Sequence, residues 1–209
     1  MKIYDVTVPI SAETIVYEGD PQTKIETVMS FEQGDLSNVS QICCGVHTGT
    51  HVDAPSHFFE GKKRVHELDP EKLVGECSVI ELDESVNIIE PKHLKFSGEI
   101  ERVLFKTRNS TFWSESDLRK DFTYISLEAA RELVSRNTKL VGIDYLSVDG
   151  FDSEDFPAHK ILLENEVVIL ESLDLREVSG GVYEIICLPL KYIGGAGDGA
   201  PARTILRRK

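Results

Sequence analysis

The sequence predicts an α/β fold in one domain spanning residues 1–209, and three observations lead to that prediction. Short β-like runs alternate along the chain with a few helical runs, which is typical of a sheet covered by helices. The 209 residues, 41% of them hydrophobic, are enough to bury a sizeable core. Finally, no internal repeat and no Pro/Gly/Ser-rich linker divides the chain. The pattern does not give the order of strands in the sheet.

The predicted strands are runs rich in apolar and β-branched residues. The opening segment, 1–9, reads as the first strand, and residues 39–46 alternate between two faces. The run at 140–144 is almost continuously apolar, which predicts burial on both faces. Further strands are predicted at 78–82, 102–107, 166–171 and 182–188.

The strongest predicted helix covers residues 127–136. Ser126 is suited to cap its first turn, and Asn137 can end it. Its apolar residues recur at the helical spacing, which gives one face for the core: Leu127, Ala130, Leu133 and Val134. Weaker helical patterns occupy 115–120 and 159–163.

Charge and hydropathy limit the partners of the chain. A formal net charge of −13 repels phosphate backbones, so no nucleic-acid partner is expected. No apolar run approaches the roughly 20 residues that cross a bilayer, so no membrane partner is expected. The first residues lack the features of a signal peptide. We therefore expect a cytoplasmic location.

The segment 47–57 carries the strongest chemical signal. His47, His51 and Asp53 are separated by four residues and then two. A helix could place the two histidines on one face, but β-branched residues between them, together with Gly49 and Pro55, favour an extended segment. On a strand, all three side chains would point the same way. Two imidazoles and a carboxylate suit zinc, manganese or iron and leave positions open for water. A structural metal site is the main alternative.

The whole segment, His47-Thr-Gly-Thr-His51-Val-Asp53-Ala-Pro55-Ser-His57, resembles the signature of the cyclase-family metal hydrolases, best known for bacterial kynurenine formamidase activity. Other segments resemble family motifs in the same order: 4–10, 18–21, 142–149, 159–163, 169–171 and 199–203. The resemblance implies a swivelling β/β/α architecture and assembly as homodimers or larger homo-oligomers.

The resemblance also implies a second set of metal ligands. It assigns His47, His51 and Asp53 to one divalent ion, and Asp53, His159 and Glu171 to a second, so that one or two ions bind per subunit. Zinc is the first expectation and manganese the second. The two carboxylates, Asp53 and Glu171, would bridge the ions.

Three residues are expected at the substrate end of the pocket: Tyr17, Phe58 and Lys160. Tyr17 stands where family formamidases carry Trp, and Lys160 stands where a second His is common. Both departures concern the substrate N-formylkynurenine more than the metal.

The resemblance implies hydrolysis of a small amide, most simply an aryl formamide such as N-formylkynurenine, through attack by a metal-bound hydroxide. His57 is the expected general acid/base, because an unperturbed imidazole transfers protons near neutral pH. Two alternatives stay open: hydrolysis of a cyclic amide, or a cyclase or dehydratase reaction. A metal-binding protein without catalysis is a third.

Two further features have structural interpretations. The glycine-rich stretch 194–199 is interpreted as a flexible turn, because no helix follows it to hold a phosphate. Asp144 and Asp149 could either line the pocket or cap a strand end.

Overall fold

Twelve strands and three α-helices occur in the residues that the computed structural model describes, 2–95 and 101–208. The strands are β1 (Lys2–Asp5), β2 (Lys24–Met29), β3 (Val39–Cys43), β4 (His51–Asp53), β5 (Val74–Glu81), β6 (Ile88–Ile89), β7 (Arg102–Lys106), β8 (Tyr124–Ile125), β9 (Leu140–Ile143), β10 (Val168–Glu171), β11 (Gly181–Pro189) and β12 (Gly199–Arg208). The helices are α1 (Pro70–Leu73), α2 (Leu127–Ser135) and α3 (Pro157–Glu164). Within these described ranges, no helix is both long and apolar enough to cross a membrane. Met1, the first residue of the predicted opening strand, lies outside them.

The main sheet closes on itself through the short strand β4. Its order is β1-β12-β11-β5-β7-β9-β10-β4, and β4 also pairs with β12. On one side of β4, Asp53 lies opposite Ile169 and His51 lies opposite Glu171. On the other side, Asp53 lies opposite Gly199. Distant parts of the chain therefore meet at the strand that carries the central motif.

Successive residues of the central strands point to opposite sides and fill two cores. Leu104, Leu140 and Leu170 belong to the cluster enclosed by the curved sheet. Phe105 and Ile169, one position along, pack with the inner faces of α2 and α3. Because both faces are buried, β9 and β10 consist of buried residues throughout, as the apolar run at 140–144 predicts.

The helix predicted over 127–136 is confirmed, with Ser126 accepting a hydrogen bond from the backbone N–H of Ala129. The prediction at 159–163 is also confirmed, inside α3. The helix predicted over 115–120 is wrong: these residues form bends, and a 3₁₀ helix lies just before them at Arg108–Ser114. The buried carboxylate of Asp144 explains the shift, because it accepts hydrogen bonds from Thr107 and Ser110 at the start of that 3₁₀ helix.

The strand predicted over 39–46 is shorter than expected and pairs outside the main sheet. It forms β3, which is antiparallel to β2 in a separate two-stranded hairpin. All residues of both strands are exposed. Alternation of apolar residues therefore does not mark a core face here.

Candidate metal centre

The first part of the motif is a turn rather than the predicted strand. Only residues from His51 to Asp53 lie on β4, while His47 precedes a bend at Gly49, whose φ is +62°. A Cβ at Gly49 would lie 3.2 Å from the carbonyl oxygen of Val8, so a side chain there would be both strained and crowded. The side chains of His47, His51 and Asp53 nevertheless converge, as predicted. His47 Nδ1 lies 2.8 Å from Asp53 Oδ1, and His51 Nε2 lies 3.5 Å from the same oxygen.

The two remaining ligand candidates join the same cluster from other elements. His159, on α3, places its Nε2 3.5 Å from Asp53 Oδ2 and 3.3 Å from Glu171 Oε1. Glu171, at the end of β10, has its Oε2 3.4 Å from His51 Nε2. The structure thus brings together all five residues proposed as metal ligands.

Unpartnered buried atoms show that this cluster fits a divalent cation. His51 Nε2 and Asp53 Oδ2 are buried, and neither makes a hydrogen bond. Leaving such atoms unpaired is costly, so buried polar atoms normally have a partner. The ligand atoms of His51, Asp53 and Glu171 all lie within 4.8 Å of one another. A nitrogen and oxygen donor set with this spacing is suited to a cation such as zinc or manganese.

The electrostatics of the cluster also favour a cation. Burial opposes ionisation of Asp53, yet His47, His159 and His51 hold its pKa well below the ordinary value. Burial likewise opposes protonation of His47, but Asp53 and Asp198 raise its pKa to about 10. For His159, Glu171 and Asp149 outweigh burial and raise the pKa well above the ordinary value. The carboxylates therefore attract positive charge, and a metal ion must compete with protons for the imidazoles.

Asp149 fixes the orientation of His159. Its carboxylate accepts hydrogen bonds from the backbone N–H groups of Ala158 and His159, both at 2.9 Å, at the beginning of α3. The same carboxylate lies 2.7 Å from His159 Nδ1, which turns Nε2 toward Asp53 and Glu171. Carboxylates that hold ligand histidines in this way tune metal binding. Asp149 thus caps the beginning of a helix rather than the end of a strand. It contacts the cluster through His159 and does not line the cavity beside the cluster.

Asp198 plays the corresponding role for His47, and sequence reasoning missed it. His47 Nε2 lies 3.0 Å from Asp198 Oδ2. The next residue, Gly199, leaves room for the ring, because a Cβ there would lie only 2.7 Å from His47 Cε1. The stretch interpreted as a flexible turn is therefore part of the site. The signal in the sequence for this role was the position of Asp198, an acidic residue among the glycines of 194–199.

A cavity of about 370 Å³ opens onto the cluster. Its wall contains His57 and four of the five predicted ligands, all but Asp53, together with Tyr17, Asp20, Phe58, Leu146, Ser147 and Phe156. Tyr17 and Phe58 are thus part of the cavity wall. Lys160 is not: it is exposed and lies outside the cavity wall. Its neighbour His159 points inward, and adjacent helical residues are rotated by about 100°.

His57 stands between the cluster and the cavity. Pro55–His57 forms a short 3₁₀ helix after β4, as the proline suggests. The ring of His57 lies 4.2 Å from that of His47 and 6.0 Å from that of His159, measured between centroids. Burial lowers the pKa of His57, although Asp53 opposes the effect. Ligand atoms of His47, Asp53 and His57 also lie within 4.8 Å of one another, so geometry permits His57 to act as a ligand.

Comparison with known proteins identifies the family. The cyclase family model matches residues 4–150. The chain belongs to the cyclase family. Its curated relatives include the kynurenine formamidase of Salinibacter ruber, 36% identical over 99% of this chain and 98% of the relative. The kynurenine formamidase of Polaromonas naphthalenivorans is 34% identical over 99% of this chain and 91% of that protein.

Solved structures of other proteins share the fold. A potential metal-dependent hydrolase with cyclase activity is 36% identical, covers 100% of this chain and 98% of its own, and superposes with a TM-score of 0.85. An isatin hydrolase bound to thioisatinate also has a TM-score of 0.85, covering 98% of this chain and 91% of its own, at 20% identity. That second likeness concerns the fold alone. The predicted α/β fold class is confirmed.

Proposed function

We propose that this cyclase-family protein hydrolyses small amides with the help of a divalent metal, and that aryl formamides are its first substrates. The observation that carries the proposal is a buried cluster of histidines and carboxylates with unpartnered atoms, open to a cavity with aromatic walls. Full-length relatives that are kynurenine formamidases support the choice of a formamide.

The proposed ligands are divided between two ions, as the family resemblance implies. His47, His51 and Asp53 would hold one ion, and Asp53 with His159 and Glu171 would hold a second. Asp149 and Asp198 would keep two of the imidazoles in orientation through the hydrogen bonds described above. A divalent cation bound there lowers the pKa of water and polarises a carbonyl oxygen.

His57 is the proposed proton carrier. Burial lowers the pKa of its imidazole, so the ring is unprotonated at neutral pH and can accept a proton from the attacking water. The same ring can then deliver that proton to the departing amine, which must be protonated before it leaves. Its position at the cavity wall, beside the ligand cluster, allows both transfers.

Aromatic side chains shape the rest of the cavity for a planar group. Tyr17 donates a hydrogen bond to the carbonyl oxygen of Phe151 at 3.0 Å, and the two rings lie 5.3 Å apart. Phe58 and Phe156, both in the cavity wall, lie 5.6 Å apart. Paired rings at such distances favour contact with another aromatic ring. An anilide fits this surface better than an aliphatic amide does.

A substrate panel tests the proposal. Metal-replete protein should release formate from formanilide and from N-formylkynurenine, and it should act more slowly on acetanilide, because the added methyl group crowds the carbonyl. Isatin is the comparison for cyclic amides. Turnover of isatin with no formate from either formamide would move the assignment to cyclic-amide hydrolysis. No turnover of any member would contradict amide hydrolysis altogether.

We further propose zinc as the resident ion, with manganese as the alternative, and a homodimer as the assembly. Exposed apolar side chains of the β2–β3 hairpin support self-association, because exposed apolar area is typical of interfaces. They include Ile25, Val28, Phe31, Leu36 and Ile42. The cytoplasmic location remains a prediction from the sequence.

A further inference from the structure

One acidic group faces the cavity without belonging to the ligand cluster. Asp20 lies in the cavity wall, in the loop that follows β1. Its backbone N–H donates to the carbonyl oxygen of Tyr17 at 3.0 Å. Its carboxylate makes no hydrogen bond or ion pair with any residue that the structure describes. Glu18, two positions earlier, differs: it is bound to Lys120 at 2.7 Å. The charge of Asp20 is therefore left available to whatever occupies the cavity.

No described lysine or arginine lines the same cavity. Lys160 is exposed beyond the wall. Lys120 is engaged by Glu18 and lies 4.3 Å from the centre of the Phe151 ring. The carboxylates of Asp53 and Glu171 are matched by the imidazoles around them, whereas Asp20 has no such match. The cavity wall thus carries one negative charge that no described side chain compensates, within a chain whose net charge is −13.

We propose that Asp20 determines substrate specificity by binding an ammonium group at the end of the substrate remote from the amide. A carboxylate in a partly enclosed cavity attracts a cation and repels an anion more strongly than it would in open water. The preferred substrates are then aryl amides with a cationic side arm, followed by neutral ones, with anionic ones last. An amino-acid substrate would place its ammonium group against Asp20 and its carboxylate toward solvent. This inference rests on the proposed amide hydrolysis.

The test compares three formanilides that differ only in the para substituent: aminomethyl, which is cationic at pH 7, methyl, and carboxymethyl. The values of kcat/KM are measured for the native protein, for Asp20→Asn, and for Glu18→Gln. The two variants each remove one negative charge from the same loop, but Glu18 lies outside the cavity wall. Taking the ratio between substrates within one variant cancels differences in folded fraction or metal content.

The expected result is a native preference for the cationic substrate that Asp20→Asn reduces about tenfold, because a hydrogen bond to a charged group has roughly that worth. The anionic substrate should improve in the same variant, and Glu18→Gln should keep the native ratios. An unchanged ratio in Asp20→Asn overturns the proposal. So does an equal loss on all three substrates, which would assign Asp20 to the reaction itself.

Binding separates this inference from the proposed reaction. If no formanilide is turned over, amide hydrolysis fails, and calorimetry with benzylamine and benzyl alcohol then tests Asp20 alone. Benzylamine should bind more tightly than benzyl alcohol to the native protein and to Glu18→Gln, and Asp20→Asn should lose the difference. Equal binding of the two ligands by the native protein would overturn the inference.

Discussion

Asp53→Ala is expected to lose its divalent metal and to show no measurable amide hydrolysis. Asp53 is fully buried, and its two oxygens face His47, His51 and His159. No other carboxylate in the described structure touches all three imidazoles. Removing an outer partner of a ligand costs about 10- to 100-fold in metal affinity, and removing the shared ligand should cost more. Elemental analysis of the purified variant, together with formate release, measures both effects.

A matched control separates metal loss from general damage. Asp144 is also a fully buried aspartate, and burial raises its pKa to about 6, although hydrogen bonds from Ser110 and Thr107 oppose this. Both oxygens of Asp144 accept hydrogen bonds from Thr107 and Ser110, and an Asn side chain would put an NH₂ donor in place of one of them. Asp144→Asn should for that reason lower stability while keeping its metal, since Asp144 lies outside the cavity wall and the ligand cluster. Normal metal content in Asp53→Ala would refute the assignment of the site.

His57→Ala is expected to keep its metal and its fold and to lose about 10²- to 10⁴-fold in turnover, the usual contribution of a general acid–base group. The pH profile gives a second signature. Because burial lowers the pKa of His57 below its ordinary value, the neutral ring is present at pH 7. Activity of the native protein should fall as the pH drops through that lowered pKa. His57→Ala should lack the part of this acid limb that His57 contributes, and should keep the part caused by competition of protons with the metal for the ligand imidazoles. Steady-state kinetics between pH 5 and pH 8 would measure it.

The competing role for His57 is metal ligation, because its ring lies within ligand range of His47 and Asp53. In that case His57→Ala would lose metal together with activity. Near-normal turnover would show that another group carries the proton. His93→Ala is the control, since His93 caps a short turn far along the chain by accepting from the backbone N–H of Glu90, and both metal and activity should be retained.

Local features of the fold were predictable from the sequence. The helix α2 has its own cap at Ser126 and its own apolar stripe, so nearby residues determine it. The apolar run of β9 likewise predicts burial on both faces of the strand. Closure of the sheet was not predictable, because β4 pairs with β10 and β12, more than 100 residues away. Periodicity describes which residues are buried, not which strands are neighbours.

In the candidate site, too, local features were predictable from the sequence and contacts between distant segments were not. His47, His51 and Asp53 stand close together in sequence, so their convergence could be predicted, even though the bend at Gly49 replaced the expected strand. The support from Asp149 and Asp198 could not, because it depends on where α3 begins and on how β12 runs beside β4. Such contacts arise only when distant segments pack together.

Formate release from formanilide before and after metal removal tests the central claim most directly. Protein stripped with a chelator, and shown by elemental analysis to be metal-free, should release no formate, while its folded state is checked by circular dichroism. Addition of zinc or manganese should restore hydrolysis to the level of the untreated protein, and should fail to do so in Asp53→Ala. Undiminished formate release by the demonstrably metal-free protein would contradict metal-dependent amide hydrolysis at this site.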